Sequence, residues 1–273
     1  IKEPIEGIFY QDSDSDVPFN KHIMIIAGKN SKISYLERLE SRGGGSAKAT
    51  ANITVEVIAR SGAQVKFAAI DRLGENVTAY ISRRGKLGND ASIDWAIGVM
   101  NEGNVVADFD SDLIGNGSQA DLKVVALSSG RQVQGIDTRV TNYGCNSIGN
   151  ILQHGVILEK ATLTFNGIGH IIKGAKGADA QQESRVLMLS DQARSDANPI
   201  LLIDENDVTA GHAASIGQVD PEDMYYLMSR GLDKATAERL VVRGFLGSVI
   251  VEIPVKEVRD EMIATIEEKL SKR

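Results

Sequence analysis

A repeat of about 28 residues constrains this chain's fold more than any other feature. Small residues that follow a turn residue recur at Gly62-Ala63, Asp90-Ala91, Gly117-Ser118 and Asn146-Ser147, spaced by 28, 27 and 29. A second set, offset by half a period, runs Asn76-Val77, Asn104-Val105, Gln132-Val133 and Lys160-Ala161. Turns therefore fall about every 14 residues, and every second turn is equivalent. Between turns the apolar period is 2, the signature of strands. Val65, Phe67 and Ala69 alternate with Gln64 and Lys66, and Ile93, Trp95, Ile97 and Val99 alternate with Asp94 and Ala96.

Aligned by the period, Phe67, Trp95, Leu122 and Ile151 form one inward ladder, and Val65, Ile93 and Ala120 form its neighbour. Val77, Val105, Val133 and Ala161 line up on the opposite wall. Same-position stacking at one full period is what a parallel two-sheet solenoid requires. An antiparallel meander would reverse direction at every turn and would not favour it. Residues 21–218 are predicted to form the solenoid, preceded by a polar linker over residues 1–20. Residues 219–273 follow a helical grammar. Asp220 is an N-cap with Pro221 at N1 and Gly231 at C′, and Asp233 caps a second helix carrying Leu240, Val241, Phe245 and Val249. Pro254 is expected to end it, and Val258, Met262, Ile266 and Leu270 stripe a third helix. These helices suit either an end cap or a docking module.

Composition narrows the function. The net charge of −7 gives no basic footprint for nucleic acid and disfavours an anionic membrane surface. No apolar run approaches the ~18 residues of a membrane span. The 27 glycines against 5 prolines suit many tight turns. The lone Cys145 excludes an intrachain disulfide and fits a reducing, cytoplasmic setting. The chain opens on Ile1 rather than Met, as a fragment would.

Candidate sites are few. Asp12, Asp14 and Asp16 have calcium-loop spacing, but Val17 and Ile23 stand where Gly and Glu are needed. Asp108, Asp110 and Asp112 share one strand face and read as a hydrogen-bonded, ion-paired exterior, with Asp110 over Ser82 and Asp112 over Arg84. Gly43–Gly45 and Gly167-Ile168-Gly169 lack nucleotide-loop spacing. His22, His154, His170 and His212 form no metal pair or triad pattern. With 5% aromatic residues, the stacked sugar groove of a β-helix polysaccharide lyase or hydrolase is disfavoured, though that class stays the alternative. A structural stalk is a third reading.

The later part of the chain resembles the SufB/SufD family of iron–sulfur cluster assembly proteins. The residues that carry the likeness begin with Phe165-Asn166-Gly167 and run through Gly177 to Arg185 and Leu189-Ser190-Asp191. They continue with Asn198-Pro199, Asp207-Val208, Gly211 to Gly217, Tyr225 to Leu232, Ala237 to Leu240 and Gly244-Phe245. Phe19 to His22 and Ala27 to Asn30 look like the SufD branch of Gram-positive bacteria. The resemblance implies a right-handed parallel β-helix, mainly β, with a C-terminal helical module, lacking the branch's longer N-terminal helical region. It implies a non-enzymatic scaffold that pairs with a SufB-like paralogue through the β-helix. A SufC-like ABC ATPase docks on the helices, for which Tyr225, Tyr226, Met228, Arg230, Gly231, Leu232, Leu240 and Phe245 are the candidates.

SufB-like chains carry Glu-His-Glu-Ala at one turn. Here the turn reads Ala210-Gly211-His212-Ala213, the SufD pattern, so His212 is the candidate interface and metal residue, shared with the partner. Ala210 stands where some relatives have Cys, and Cys145 is not at the family's assembly cysteine. The resemblance therefore implies no resident cofactor in the chain alone. It leaves open a transient cluster held jointly with a partner, and homodimer or monomer for the isolated chain.

Overall fold

A computed structural model describes residues 4–251 and 256–271. Fifteen strands alternate between two wholly parallel sheets. The odd sheet stacks β1 (Ile5–Asp12), β3 (Lys32–Arg42), β5 (Gln64–Arg72), β7 (Ser92–Val99), β9 (Gln119–Ser128), β11 (Ile148–Ile157), β13 (Asp179–Met188) and β15 (Thr209–Gln218). The even sheet stacks β2 (Phe19–Ala27), β4 (Ala49–Ala59), β6 (Val77–Leu87), β8 (Val105–Leu113), β10 (Val133–Asn142), β12 (Thr162–Ile171) and β14 (Arg194–Ile203). This is the expected parallel solenoid, mainly β. It starts earlier than predicted, because the presumed linker contains β1, paired with β3 from Ile5 against Tyr35.

The aromatic ladder holds. Tyr35 pairs with Phe67, Phe67 with Trp95, Trp95 with Leu122 and Leu122 with Ile151. Trp95 is buried, tilted against Phe67, and its indole N–H donates to Ser111 Oγ at 3.0 Å. The opposite wall departs from the constant period. Register partners step by 26 residues from Ala79 to Val105 and by 29 from Val105 to Gln134. Val133, expected inside, is therefore 52% exposed, and Gln134 is buried in its place. The same short step sets Asp108 over Ser82 and Asp110 over Arg84, two residues from the predicted register.

The helices are α1 (Pro221–Ser229), α2 (Lys234–Ile250) and α3 (Lys256–Ser271). Asp220 caps α1 by accepting from the Glu222 amide, and Asp233 caps α2 by accepting from the Thr236 amide, as their sequence positions require. Gly231 takes φ +93° just after α1, a left-handed conformation open to glycine. Pro254 lies outside the described residues. The helices do not cap the end of the coil. The buried face of α2, with Val242, Leu246 and Val249, packs on Val125, Leu127, Val156 and Leu158 of the odd sheet's outer side. Val258 and Met262 of α3 pack on Leu36, Ala68, Ile70 and Ala96 of the same side. Leu240, one of the docking candidates, is exposed. No described helix is long and apolar enough to cross a membrane.

Candidate functional site

The C-terminal end of the solenoid is open. β14 and β15 each pair with a strand on one side only, so each presents a bare row of backbone donors and acceptors. Ile200, Leu202, Ile203 and Ile216 are exposed there. The interior changes character as it nears this end. The column Tyr35, Phe67, Trp95, Leu122, Ile151 continues through Gln182 to His212. Beside it, Gln153 and Ser184 are buried, and the Ser184 hydroxyl donates to Gln153 Oε1 at 2.7 Å. His212 thus occupies an inward position of the last coil, where no further coil covers it, and its side chain is exposed.

Next to this end, α1 buries none of its residues, and Tyr225 (76% exposed), Tyr226 and Met228 face outward. The Arg230 guanidinium lies over the Tyr226 ring, and Leu232 is half-buried. Between α1 and the turn after β13 runs a cavity of about 490 Å³ lined by Met188, Leu189, Met224 and Met228. Phe245 differs from the other docking candidates. It packs against the α2 core, stacks on His154 with ring centroids 5.1 Å apart, and lies under the Arg185 guanidinium.

Two polar clusters escaped the sequence reading. His154 is buried between β11 and α2, with Nε2 3.1 Å from Glu183 Oε1 and Nδ1 3.5 Å from Ser248 Oγ. Burial holds its imidazole below the ordinary range, against the pull of Glu183. A cleft of about 300 Å³ opens beside it, lined also by Asp121, Lys123 and Arg185. Deeper in the solenoid, Arg83 is fully buried and donates to both oxygens of Asp71 (2.7 and 2.8 Å) and to Glu37 (2.9 Å). Lys21 pairs with the other oxygen of Glu37. Burial pushes the Glu37 carboxyl up, but Arg83 and Lys21 together hold it below the usual carboxylate range. Strand alternation was a usable signal for Arg83, which shares the inward parity of Ile81 and Gly85.

The remaining sequence candidates are structural. Arg84 lies 3.4 Å from Asp108 and 3.9 Å from Asp110, and Arg139 lies 3.6 Å from Asp110. Cys145 sits in a stacked turn, where its amide donates to Asn116 Oδ1 and its thiol to the Gly174 carbonyl. His22 meets Glu56, and His170 meets Asp204, on the outer face of the even sheet. Among the described residues, no three or more His, Cys, Asp or Glu side chains converge as a metal site.

Residues 9–245 match the family described as SUF system FeS cluster assembly, SufBD core domain. The chain is 45% identical over 271 residues to the iron–sulfur cluster assembly protein SufD of Bacillus subtilis, covering 99% of this chain and 62% of that protein. It is 26% identical over 253 residues to a SufBD family protein of Mycobacterium leprae, covering 93% of this chain and 29% of that one. A third relative, from Staphylococcus epidermidis, is 24% identical over 256 residues, covering 94% and 55%. The chain therefore spans less than two thirds of the length of these relatives. Stacked parallel coils and a match that covers most of them lead to one assignment: the chain belongs to the SufB/SufD family of iron–sulfur cluster assembly proteins.

Proposed function

We propose that this chain is a non-catalytic scaffold subunit of cytoplasmic iron–sulfur cluster assembly. It pairs with a SufB-like paralogue through the open end of its solenoid and docks a SufC-like ATPase on α1 and the start of α2. The observation that carries the reading is His212, an inward position of the last coil left uncovered between two unpaired strand edges. Neutral imidazole is a suitable iron ligand, and His is the side chain that changes charge nearest pH 7. The chain offers no thiolate there, since its one cysteine lies in a turn between β10 and β11. A nascent cluster, as cargo, takes its sulfur ligands from the partner.

The test is co-expression of the chain with SufB-like and SufC-like partners, followed by purification and iron and sulfide analysis. His212→Ala should leave the complex intact and reduce its iron and sulfide. Tyr225→Asp with Met228→Asp should release the ATPase alone, because α1 buries no residue whose loss would unfold the chain. Deleting residues 231–273 is a poor substitute, since it uncovers the apolar face that α2 and α3 shield. Undiminished cluster content with His212→Ala would refute the proposed role.

A further inference from the structure

A row of side-chain hydrogen bonds crosses the outer face of the even sheet and ends at its bare edge. Asp137, Asn166 and Asn198 are register partners on β10, β12 and β14. Asn198 Nδ2 donates to Asn166 Oδ1 at 2.9 Å, and Asn166 Nδ2 donates to Asp137 Oδ1 at 2.6 Å. Both donors point away from the open end, and the row terminates on a carboxylate, which only accepts. In such a stacked row, repeated at the ~4.8 Å spacing of strands, each amide donates to one neighbour and turns its oxygen toward the other. Asn198 therefore turns Oδ1 to the side of β14 on which no described strand lies. Hydrogen bonds in a row polarise one another, so the charge of Asp137 makes this last oxygen a stronger acceptor.

The backbone of the same edge has a break in it. The Arg194 amide donates to Ala161 and the Asp204 amide to Ile171, so the even-numbered amides of β14 face β12 and the odd-numbered ones face the vacant side. Pro199 belongs to the odd set and has no N–H, which leaves a gap in the exposed donors beside Asn198. Ile200 and Leu202 follow Asn198 on the same outer face, and both are exposed. We infer that Asn198 determines which strand the open end accepts, by receiving at Oδ1 a hydrogen bond from a donor side chain of the partner, an Asn or Gln amide or a Lys or Arg cation. The matching strand carries that donor opposite Asn198 and apolar side chains opposite Ile200 and Leu202. Asp or Glu opposite Asn198 has no proton to give and is rejected. A slip of one residue turns the donor to the other face, so the side chains fix the register that the interrupted backbone row leaves open. That the partner is a SufB-like paralogue rests on the function proposed above; the donor it needs is read from β14 itself.

The test is the affinity of the full chain and its variants for a purified SufB-like partner. Asn198→Ala and Asn198→Asp both lose the bond to Asn166, but only the carboxylate still offers the partner an acceptor. Asn198→Ala should weaken association about 10-fold, the scale of one hydrogen bond whose donor is left unmet. Asn198→Asp should keep most of the affinity, because a carboxylate accepts from an amide or a cation alike. Ile200→Asp should weaken association strongly. Asn20→Ala, on the outer face of β2 at the opposite end of the even sheet, should leave it unchanged. Asn198 is exposed, so its variants should melt close to the unaltered chain. Equal losses in Asn198→Ala and Asn198→Asp would mean that the residue acts only by ordering the row, which overturns the inference. Full affinity in Asn198→Ala with a loss in Ile200→Asp overturns it too and leaves the pairing standing. An unaltered chain that does not bind the partner sinks the pairing itself.

Discussion

Arg83 is the strongest test of the forces inside the solenoid. Four ionised groups, Lys21, Glu37, Asp71 and Arg83, lie buried with formal charges that sum to zero. Arg83→Met removes three charge-assisted hydrogen bonds, two to Asp71 and one to Glu37. Lys21 still meets Glu37, but Asp71 loses its bidentate partner, and the core carries an uncompensated negative charge. Breaking one side of such a pair costs about 3–5 kcal/mol. At roughly 2–4 °C per kcal/mol for a domain of this size, the melting temperature should fall by about 6–20 °C. Thermal scans give the size of the loss, and hydrogen exchange should locate it in β2 to β6, the coils the network ties together. The same reasoning demands a rescue. Arg83→Met combined with Asp71→Leu, Glu37→Met and Lys21→Met replaces the network by apolar groups of similar bulk and should regain most of the stability. A single variant that loses less than about 1 kcal/mol, or a fourfold variant no better than the single, would refute this account. The pH dependence has a definite sign. Glu37 is held below its ordinary value of about 4.3, so its contribution is complete above that pH and disappears as pH falls through the lower native value.

Two further outcomes depend on proton linkage. Burial keeps His154 neutral in the fold, while Glu183 and Arg185 of β13, Lys123 and Asp121 of β9, and Ser248 of α2 line its surroundings. The unfolded chain therefore binds the extra proton first as pH drops below about 6.5, and stability falls from there downward. Denaturant midpoints at pH 5 and pH 7.5 should differ in the unaltered chain and differ less in His154→Phe; an unchanged difference would refute the assignment. Asp110 shows the opposite linkage. Burial first and the neighbouring Asp108 second push it up to about 6, against Arg139 and Arg84. Native Asp110 holds its proton longer than the unfolded chain, so its ionisation weakens the fold between about pH 4 and pH 6. Asp110→Asn should raise the melting temperature at pH 7.5 and leave it nearly unchanged at about pH 3, below the native and unfolded values alike.

The core was legible in the sequence where two independent regularities coincide. Phe67, Trp95, Leu122 and Ile151 satisfy both the alternation along a strand and the period between coils, and the register joins them. Val133 satisfies the period alone, and it lies outside because the register step from Val105 is 29 residues, one more than the constant spacing, which turns position 133 to the other face. β1 was missed because the acidic run from Asp12 to Asp16 drew its whole neighbourhood into a linker, although Ile8 and Tyr10 alternate with Phe9. On α2, apolar residues occupy more than one face, so periodicity could not choose between the Leu240 and Val242 sides; packing on the odd sheet chose Val242. Arg83 and His154 were hidden for a different reason. Strand parity marks Arg83 as inward, but its role, like that of His154 on the outer face under α2, is recognisable only once partners distant in sequence are placed beside it.

The position of the helices bears on the open end. A solenoid whose last coil is bare exposes its interior and two strand edges, a liability that natural proteins usually cover. This chain has three helices following directly on β15, two of them with broad apolar faces, within reach of that end. They lie along the flank of the odd sheet instead, burying Val125, Leu127 and Val156 there, and leave Ile200, Leu202, Ile203 and Ile216 exposed. The interior changes in the same direction. In the column that leads to His212, aromatic and aliphatic residues fill the earlier coils, while Gln182 precedes His212 with Gln153 and Ser184 beside it. Polar groups in the last coils weaken a self-sufficient core but suit an interior that is completed by another surface. If the end were merely frayed, replacing Gln182 and Ser184 with Leu and Ala should stabilise the isolated chain without affecting its association with a SufB-like partner. If the end is an interface, the same pair of substitutions should stabilise the isolated chain and weaken that association, a divergence that chemical denaturation and binding measurements on one double variant can reveal.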